Sequence, residues 1–300
     1  MNSNQQMKTS YLTRVQQFVD HCHPGRILLW KLLLTVAVYT MCICWIDLHG
    51  FPATKALEAN AAISMSAVLG ILLIFRNNSA YERWWEARKL WGQLVNESRN
   101  LAIKTRSYAE ELSEAEREEF AALIAGFAVA LKDQLRGTRN EIQLAALSVS
   151  PLVDHPPSAI ALHIYKRLKR WRKEGLVDQW EQLQLDQHAK TLMDVCGATE
   201  RILKSPIAGS YKLLLWLGLL LNAALLPWFI VPSFHWWSLA IMLVTSYFVF
   251  SLELLAEEVE RPFDDLPNDL PLDSICQTIK ASAEESLEVM QPKPSMLSSQ

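Results

Sequence analysis

The sequence predicts an all-α membrane protein: four transmembrane helices continuing into a sizeable helical aqueous part. Three observations predict it. Half of the 300 residues are apolar, yet four long apolar blocks stand beside heavily charged segments, the pattern of spans and loops rather than of one soluble core. The segments between the blocks keep a helical period and carry helix-capping signals. Lysine and arginine gather before the first block, after the second and just before the third (Arg201, Lys204, Lys212), with none in the turn between the third and fourth. The positive-inside rule then places both termini of a multi-pass protein in the cytoplasm.

In chain order, residues 1–26 are a polar cytosolic lead containing Lys8, Arg14 and Arg26, with a short helix expected from Tyr11 to His21. The apolar block that follows is too long for the core of a cleavable signal and reads as an anchor. Residues 27–76 hold the first two spans. Ile27–Ile46 carries only Lys31, near enough to the cytoplasmic end to snorkel. His49, Gly50, Phe51 and Pro52 make an outer turn. Ala59–Phe75 then runs for 17 residues without a charge, about 25 Å at the helical rise and slightly short of a hydrocarbon core of roughly 30 Å. Asn60, Ser64, Ser66, Ala67 and Gly70 make much of its surface small or polar, which favours close helix packing or a water-lined face. No proline interrupts Leu57–Leu101, so one helix is expected to pass from the membrane into the cytosol at Arg76.

Residues 77–212 are expected to form a cytosolic helical domain. Ser113 with Glu116 makes a capping box, and the helix it opens closes on Lys132, Arg136 and Gly137. Its middle, Phe120–Leu131, is apolar on most sides but shorter than a span, so it reads as a buried core helix. Asn140–Pro157, with three prolines, reads as loop. Ser158–Gly175 and Leu176–Leu203 are amphipathic helices. The basic end of the first, YKRLKRWRKEG, reads as a solvated helix C-terminus before it reads as a lipid-headgroup contact. Ser205–Pro206 breaks the pattern. Residues 213–255 hold the third and fourth spans, Leu213–Pro232 and Phe234–Leu252, joined by an outer turn with His235, Trp236 and Trp237 at interface depth. Residues 256–290 are expected to pack on the helical domain, and 291–300 is a Pro/Ser-rich tail expected to be disordered.

The chemistry of most enzyme classes is missing. The sequence holds no HExxH, no G-x-S-x-G and no glycine-rich phosphate loop, so neither catalytic residues nor a cofactor are expected. The five cysteines (Cys22, Cys42, Cys44, Cys196, Cys276) are scattered without metal-ligand spacing. His21 and His23 flank Cys22, but neighbours that close rarely converge on one ion; no metal is expected. A net charge of −3 gives no global reason to bind nucleic acid. An ion channel, a secondary transporter and a non-conducting membrane anchor or signalling protein remain. Transporters need intramembrane ionisable groups, broken helices and repeats. Here Lys31 is the main intramembrane charge, no repeat is visible and the central helix is unbroken, so the channel leads.

Two stretches carry a resemblance. FRNNSAYERWWEARKLWG, Phe75–Gly92, resembles the signature of bacterial bestrophins, whose animal relatives are chloride channels. AEEVERPFDDLPNDLPLD, from Ala256 to Asp273, resembles the family's second signature. The resemblance as a whole covers roughly residues 27–284. The resemblance implies a homopentamer around a central pore, lined by the second helix of each subunit and passing small monovalent ions, with lipids, ions and its own copies as partners. It places the neck, three apolar rings four residues apart, at Ile63, Ala67 and Ile71, near one helical face. A register one residue later uses Ser64, Val68 and Leu72 and stays open, because Ala67 is smaller than the family's usual residue. An uncharged neck restricts by size and dewetting without choosing a sign. Charge rings elsewhere must choose it: Glu58 and the acids from Asp264 to Asp273, or Lys55 and Arg76. Animal members favour chloride and at least some bacterial relatives favour monovalent cations. The side chains leave the sign open, with a tilt to cations for a bacterial-type chain. Animal members also bind calcium with an acidic run after the Pro–Phe pair. Here Leu266 and Pro267 interrupt that run and Arg261 precedes it, so the acids are expected to cap cytosolic helices instead. Tyr81, Arg83, Trp84, Trp85, Glu86, Arg88 and Trp91 occupy nearly every face of the helix and are expected to pack against neighbouring subunits as well as their own, in an assembly role.

Overall fold

The computed structural model describes residues 24–49, 59–150, 152–266 and 268–289, with side chains from Ile27 in the first helix and from Ser64 in the second. The expected helix Tyr11–His21, the turn residues 50–52, Lys55, Glu58, the side chain of Ile63 and the tail 291–300 lie outside the described residues.

The described residues form nine helices and no strand: α1 (Pro24–Leu48), α2 (Ala59–Tyr108), α3 (Glu114–Arg136), α4 (Glu141–Ala146), α5 (Pro156–Glu174), α6 (Gln179–Lys204), α7 (Gly209–Phe234), α8 (Trp237–Val259) and α9 (Leu272–Ser286). The chain divides into two compact units, Met1–Glu82 with Ile207–Glu260, and Arg83–Pro206 with Arg261–Gln300. Helix α2 runs from the first into the second without a break.

In the first unit α1 packs on α7 and α8, and α7 on α8. The core is thin: Val36, Leu69, Leu73, Leu219, Leu226, Met242 and Phe250, with a second cluster of Ile43, Cys44 and Val231. Leu34, Trp45, Leu213, Leu217 and Phe248 point outward, as helices do whose solvent is hydrocarbon. Three helical segments among the described residues are long and apolar enough to cross a membrane, Ile27–Leu48, Gly209–Phe234 and Trp237–Val259. The expectation was four. The missing one, Ala59–Phe75, starts in residues without described side chains, and its described apolar part meets Arg76 only twelve residues after Ser64. Helix α7 runs through Pro227 and Pro232 to Phe234, past the proline where the span was expected to stop. Several polar groups in this unit find internal partners, which offsets the cost of leaving water. Trp228 Nε1 donates to the Tyr39 hydroxyl at 2.8 Å, which donates to the Ala224 carbonyl at 3.1 Å. Asn222 donates to Ser66 Oγ at 3.0 Å.

The second unit has a conventional core. Phe120, Ile124, Phe127 and Leu131 of α3 are fully buried with Trp91, Leu101, Leu168 and Trp171, and Phe120 meets Trp171 edge-on at 4.8 Å. The capping box opens α3 as expected, with Ser113 and Glu116 each accepting the other's backbone N–H. Gly137, at φ 67°, closes it in the left-handed conformation that glycine adopts without strain. Inside α3, a Cβ on Gly126 would stand 2.2 Å from Leu147 Cδ1, so the missing side chain lets Leu147 seat. Part of the expected loop is helical: α4 starts on Asn140, whose side chain accepts the Gln143 N–H. Helix α5 begins at Pro156, two residues early, because prolines cost nothing where the N–H has no helical partner. His155 caps it, Nδ1 accepting the Ser158 N–H at 3.1 Å. A second capping box, Asp178 with Glu181, sets the start of α6 at Gln179 rather than Leu176.

Candidate functional site

Helix α2 presents two faces. Leu69, Leu73, Arg76, Ala80, Ala87, Trp91, Leu94 and Ser98 are buried, whereas Ser64, Ala67, Val68, Ile71, Ile74, Phe75, Asn78, Glu82 and Trp85 are exposed. Most steps in both sets are of three, four or seven residues, the signature of a helix with one packed and one open side. From Ser64 to Phe75 the open side carries no charge. The expected neck residues Ala67 and Ile71 lie on it; of the alternative register, Ser64 and Val68 are exposed and Leu72 is half-buried.

Arg76, expected to offer charge to the pore, is enclosed within its own protomer. It stands nine residues after Ala67, about 180° around the helix at roughly 100° per residue, and its side chain is 0% exposed within the protomer. Nε donates to Glu253 Oε1 at 3.3 Å and Nη2 to Glu260 Oε2 at 2.8 Å. Glu260 also binds Lys212 Nζ at 2.7 Å and accepts the Ile207 N–H at 3.1 Å. Two basic and two acidic side chains thus meet in one cluster, enclosed except at Lys212, the kind of pairing that lets charges leave water. Burial works to raise the Glu260 carboxyl, but hydrogen bonds from Lys212 and Ile207 and the charge of Arg76 outweigh it and hold the carboxyl below its ordinary value. Besides Lys31, expected as the main intramembrane charge, the apolar blocks hold Glu253. The signal was present: an acid inside an apolar block, seven residues before Glu260 and so on the same helical face.

The aromatic and charged cluster divides. Trp91 is fully inside its own protomer's core. The Arg83 guanidinium donates to the carbonyls of Ile202, at 2.7 Å, and Ser205, closing the end of α6. Trp84 Nε1 donates to the Asn268 carbonyl at 3.2 Å, and Glu86 pairs with Arg201 at 2.8 Å. Tyr81, Trp85 and Arg88 are exposed.

Three of the acids after Pro262–Phe263 are engaged within the second unit. Asp273 binds Lys132 and Arg136, each at 2.7 Å, and Asp265 binds Arg136 at 3.1 Å. Asp269 accepts the Leu266 N–H at 2.8 Å. Hydrogen bonds from Lys132 and Arg136 hold the Asp273 carboxyl below its ordinary value. Burial works to lower the Lys132 ammonium, but the Asp273 hydrogen bond and the charge of Asp133 prevail and raise it. These contacts are ion pairs and a loop hydrogen bond, and α9 opens on Pro271 without a side-chain cap, so the helix-capping role expected of the acids is not seen among the described residues.

Fold and site together define an all-helical integral membrane protein whose longest helix keeps an uncharged open face. The model of the bacterial and fungal bestrophin proteins matches residues 19–285. A voltage-dependent anion channel-forming protein of Nostoc sp. is 35% identical over 266 residues, 83% of this chain and 86% of that one. The voltage-dependent anion channel-forming protein YneE of Escherichia coli is 33% identical over 259 residues, covering 84% and 83%. Two solved point-mutant forms of a bacterial bestrophin homologue from Klebsiella pneumoniae superpose with TM-scores of 0.79 and 0.81, at 27% and 25% identity. They cover 86% and 89% of this chain and 98% and 99% of theirs. The chain belongs to the bestrophin family, in its bacterial and fungal branch.

Proposed function

We propose that the protein is a homopentameric ion channel that passes small monovalent anions across a bacterial inner membrane, with α2 of each subunit lining the pore. The observation that carries this reading is the open face of α2, uncharged from Ser64 to Phe75 in a helix that otherwise buries its opposite side. Such a face repeated around an axis makes a constriction that gates by width and wetting. The names of the Nostoc and Escherichia coli relatives supply the sign. The tilt to cations has no charged side chain behind it on this stretch. In this reading Ala59–Phe75 is the fourth crossing, both termini are cytoplasmic, and the neck is Ile63, Ala67 and Ile71. The half-burial of Leu72 supports that register over the one starting at Ser64. Lys55 and Glu58 remain the candidate charge rings, and exposed Tyr81, Trp85 and Arg88 are the members of the aromatic cluster open to a neighbouring subunit.

The test is purified protein in a planar bilayer under a NaCl gradient. Unitary current steps with a reversal potential near that of chloride are expected, and Ile71→Ala should raise the conductance. Coupled uptake without steps would replace the channel by a transporter; reversal near the sodium potential would restore the cation assignment. An unchanged Ile71→Ala conductance would move the neck to another register.

A further inference from the structure

Away from α2, three metal-ligating side chains meet inside the second unit. His155 stands at the N-cap of α5, and Cys196 and Glu200 lie one turn apart on α6. Their ligand atoms all fall within 4.8 Å of one another. We propose that His155 Nε2, Cys196 Sγ and a Glu200 carboxylate oxygen form a binding site for a borderline-soft divalent ion of the Zn2+ kind.

The i, i+4 spacing sets Cys196 and Glu200 on one helical face, the spacing that lets a helix give an ion two ligands at once. His155 arrives from a different element and supplies the third. Side-chain exposure is 33% at His155 and 16% at Glu200, while Cys196 is buried, so a fourth position faces the solvent side of the cluster. One thiolate, one imidazole and one carboxylate suit zinc and its neighbours; calcium and magnesium want oxygen alone.

The protons balance. Nδ1 of His155 accepts the Ser158 N–H, so the metal-free ring carries its proton on Nε2 and donates to Glu200 Oε1 at 2.6 Å. Taking an ion at Nε2 moves that proton to Nδ1, where Ser158 Oγ stands 2.7 Å away to accept it, at the cost of the Ser158 N–H cap. His155 and Glu200 part by about 1 Å, since two ligands on a tetrahedral ion with bonds of about 2.1 Å lie roughly 3.4 Å apart. Lys204, now 3.1 Å from Glu200 and largely exposed, swings into solvent. The Cys196 thiol, pushed up to about 12 by burial and the charge of Glu200, gives its proton to water as the ion binds. One proton leaves, nothing is oxidised, and a 2+ ion with one thiolate and one carboxylate is neutral. The filled site would pin the start of α5 to α6.

The experiment is titration of the purified full-length protein with Co2+, followed by displacement with Zn2+. The expected result is one equivalent of tetrahedral cobalt, seen in its visible bands, with a thiolate charge-transfer absorption that Zn2+ removes. Cys196→Ser should lose the thiolate absorption. His155→Ala and Glu200→Gln should weaken binding by about tenfold or more, and Ser158→Ala by about tenfold. Cys22→Ser should keep the whole spectrum. The proposal fails if no cobalt spectrum forms, if the thiolate absorption survives in Cys196→Ser, if Glu200→Gln binds like the parent, or if Cys22→Ser abolishes it.

Discussion

In the first unit the outward side chains are Leu34, Trp45, Leu213 and Phe248, and the enclosed ones include Arg76, Glu253 and Glu260. In the second, Phe120, Phe127, Leu131 and Trp171 are enclosed, while pairs such as Arg201–Glu86 and Arg106–Glu288 lie at the surface. One physics gives both patterns, because only the solvent differs. Hydrocarbon rewards outward leucine and forces charges to find each other; water rewards the reverse. The difference teaches where each unit is fragile: the first at a few polar contacts, the second throughout its core.

Four perturbations would sharpen or break that contrast. The largest effect is expected at Arg76. Arg76→Met leaves Glu253 enclosed without its guanidinium, at a cost of about 3–5 kcal/mol, read as lost yield of folded protein and a lower melting temperature in detergent. Pairing it with Glu253→Met should recover much of the loss. A stable single variant with only a changed reversal potential would instead return Arg76 to the pore. Next comes the soluble-type core, where Leu131→Ala should cost about 2–5 kcal/mol. The matched change on the outer surface of the first unit, Leu34→Ala, should stay within about 0.5 kcal/mol. Equal losses from the two would dissolve the contrast.

Removing the cap with Ser113→Ala should cost about 1 kcal/mol, visible as earlier thermal loss of helix. The smallest effect belongs to Asp273, 54% exposed on its side chain, where solvent screening keeps Asp273→Asn below about 1 kcal/mol. Its sign against pH is definite. A carboxyl held low in the folded state stabilises above its unfolded value, near pH 4, and loses that contribution as pH falls through the folded value. The parent should therefore lose stability more steeply than Asp273→Asn below about pH 4 in a denaturant series. Parallel slopes would mean that Lys132 and Arg136 do not hold this group in solution.

What could be read from the chain alone was local. The Ser113–Glu116 box, the glycine stop at Gly137, the break at Ser205–Pro206 and the segregation of apolar blocks act within a few residues, so sequence and fold agree on them. The second box at Asp178 was equally local and was missed because the preceding Leu176 and Val177 already fitted an amphipathic pattern. The face of Arg76 was also readable: nine residues from Ala67 is half a turn out of phase, so the two lie on opposite faces of the helix. Its partners were not, since Glu253 and Glu260 lie 177 and 184 residues further along. The same holds for His155, which meets Glu200 across 45 residues because a proline-started helix and a capped one fold back on each other. Periodicity and capping are decided by neighbours along the chain, whereas the pairing of buried charges is decided by which helices share a low-dielectric interior.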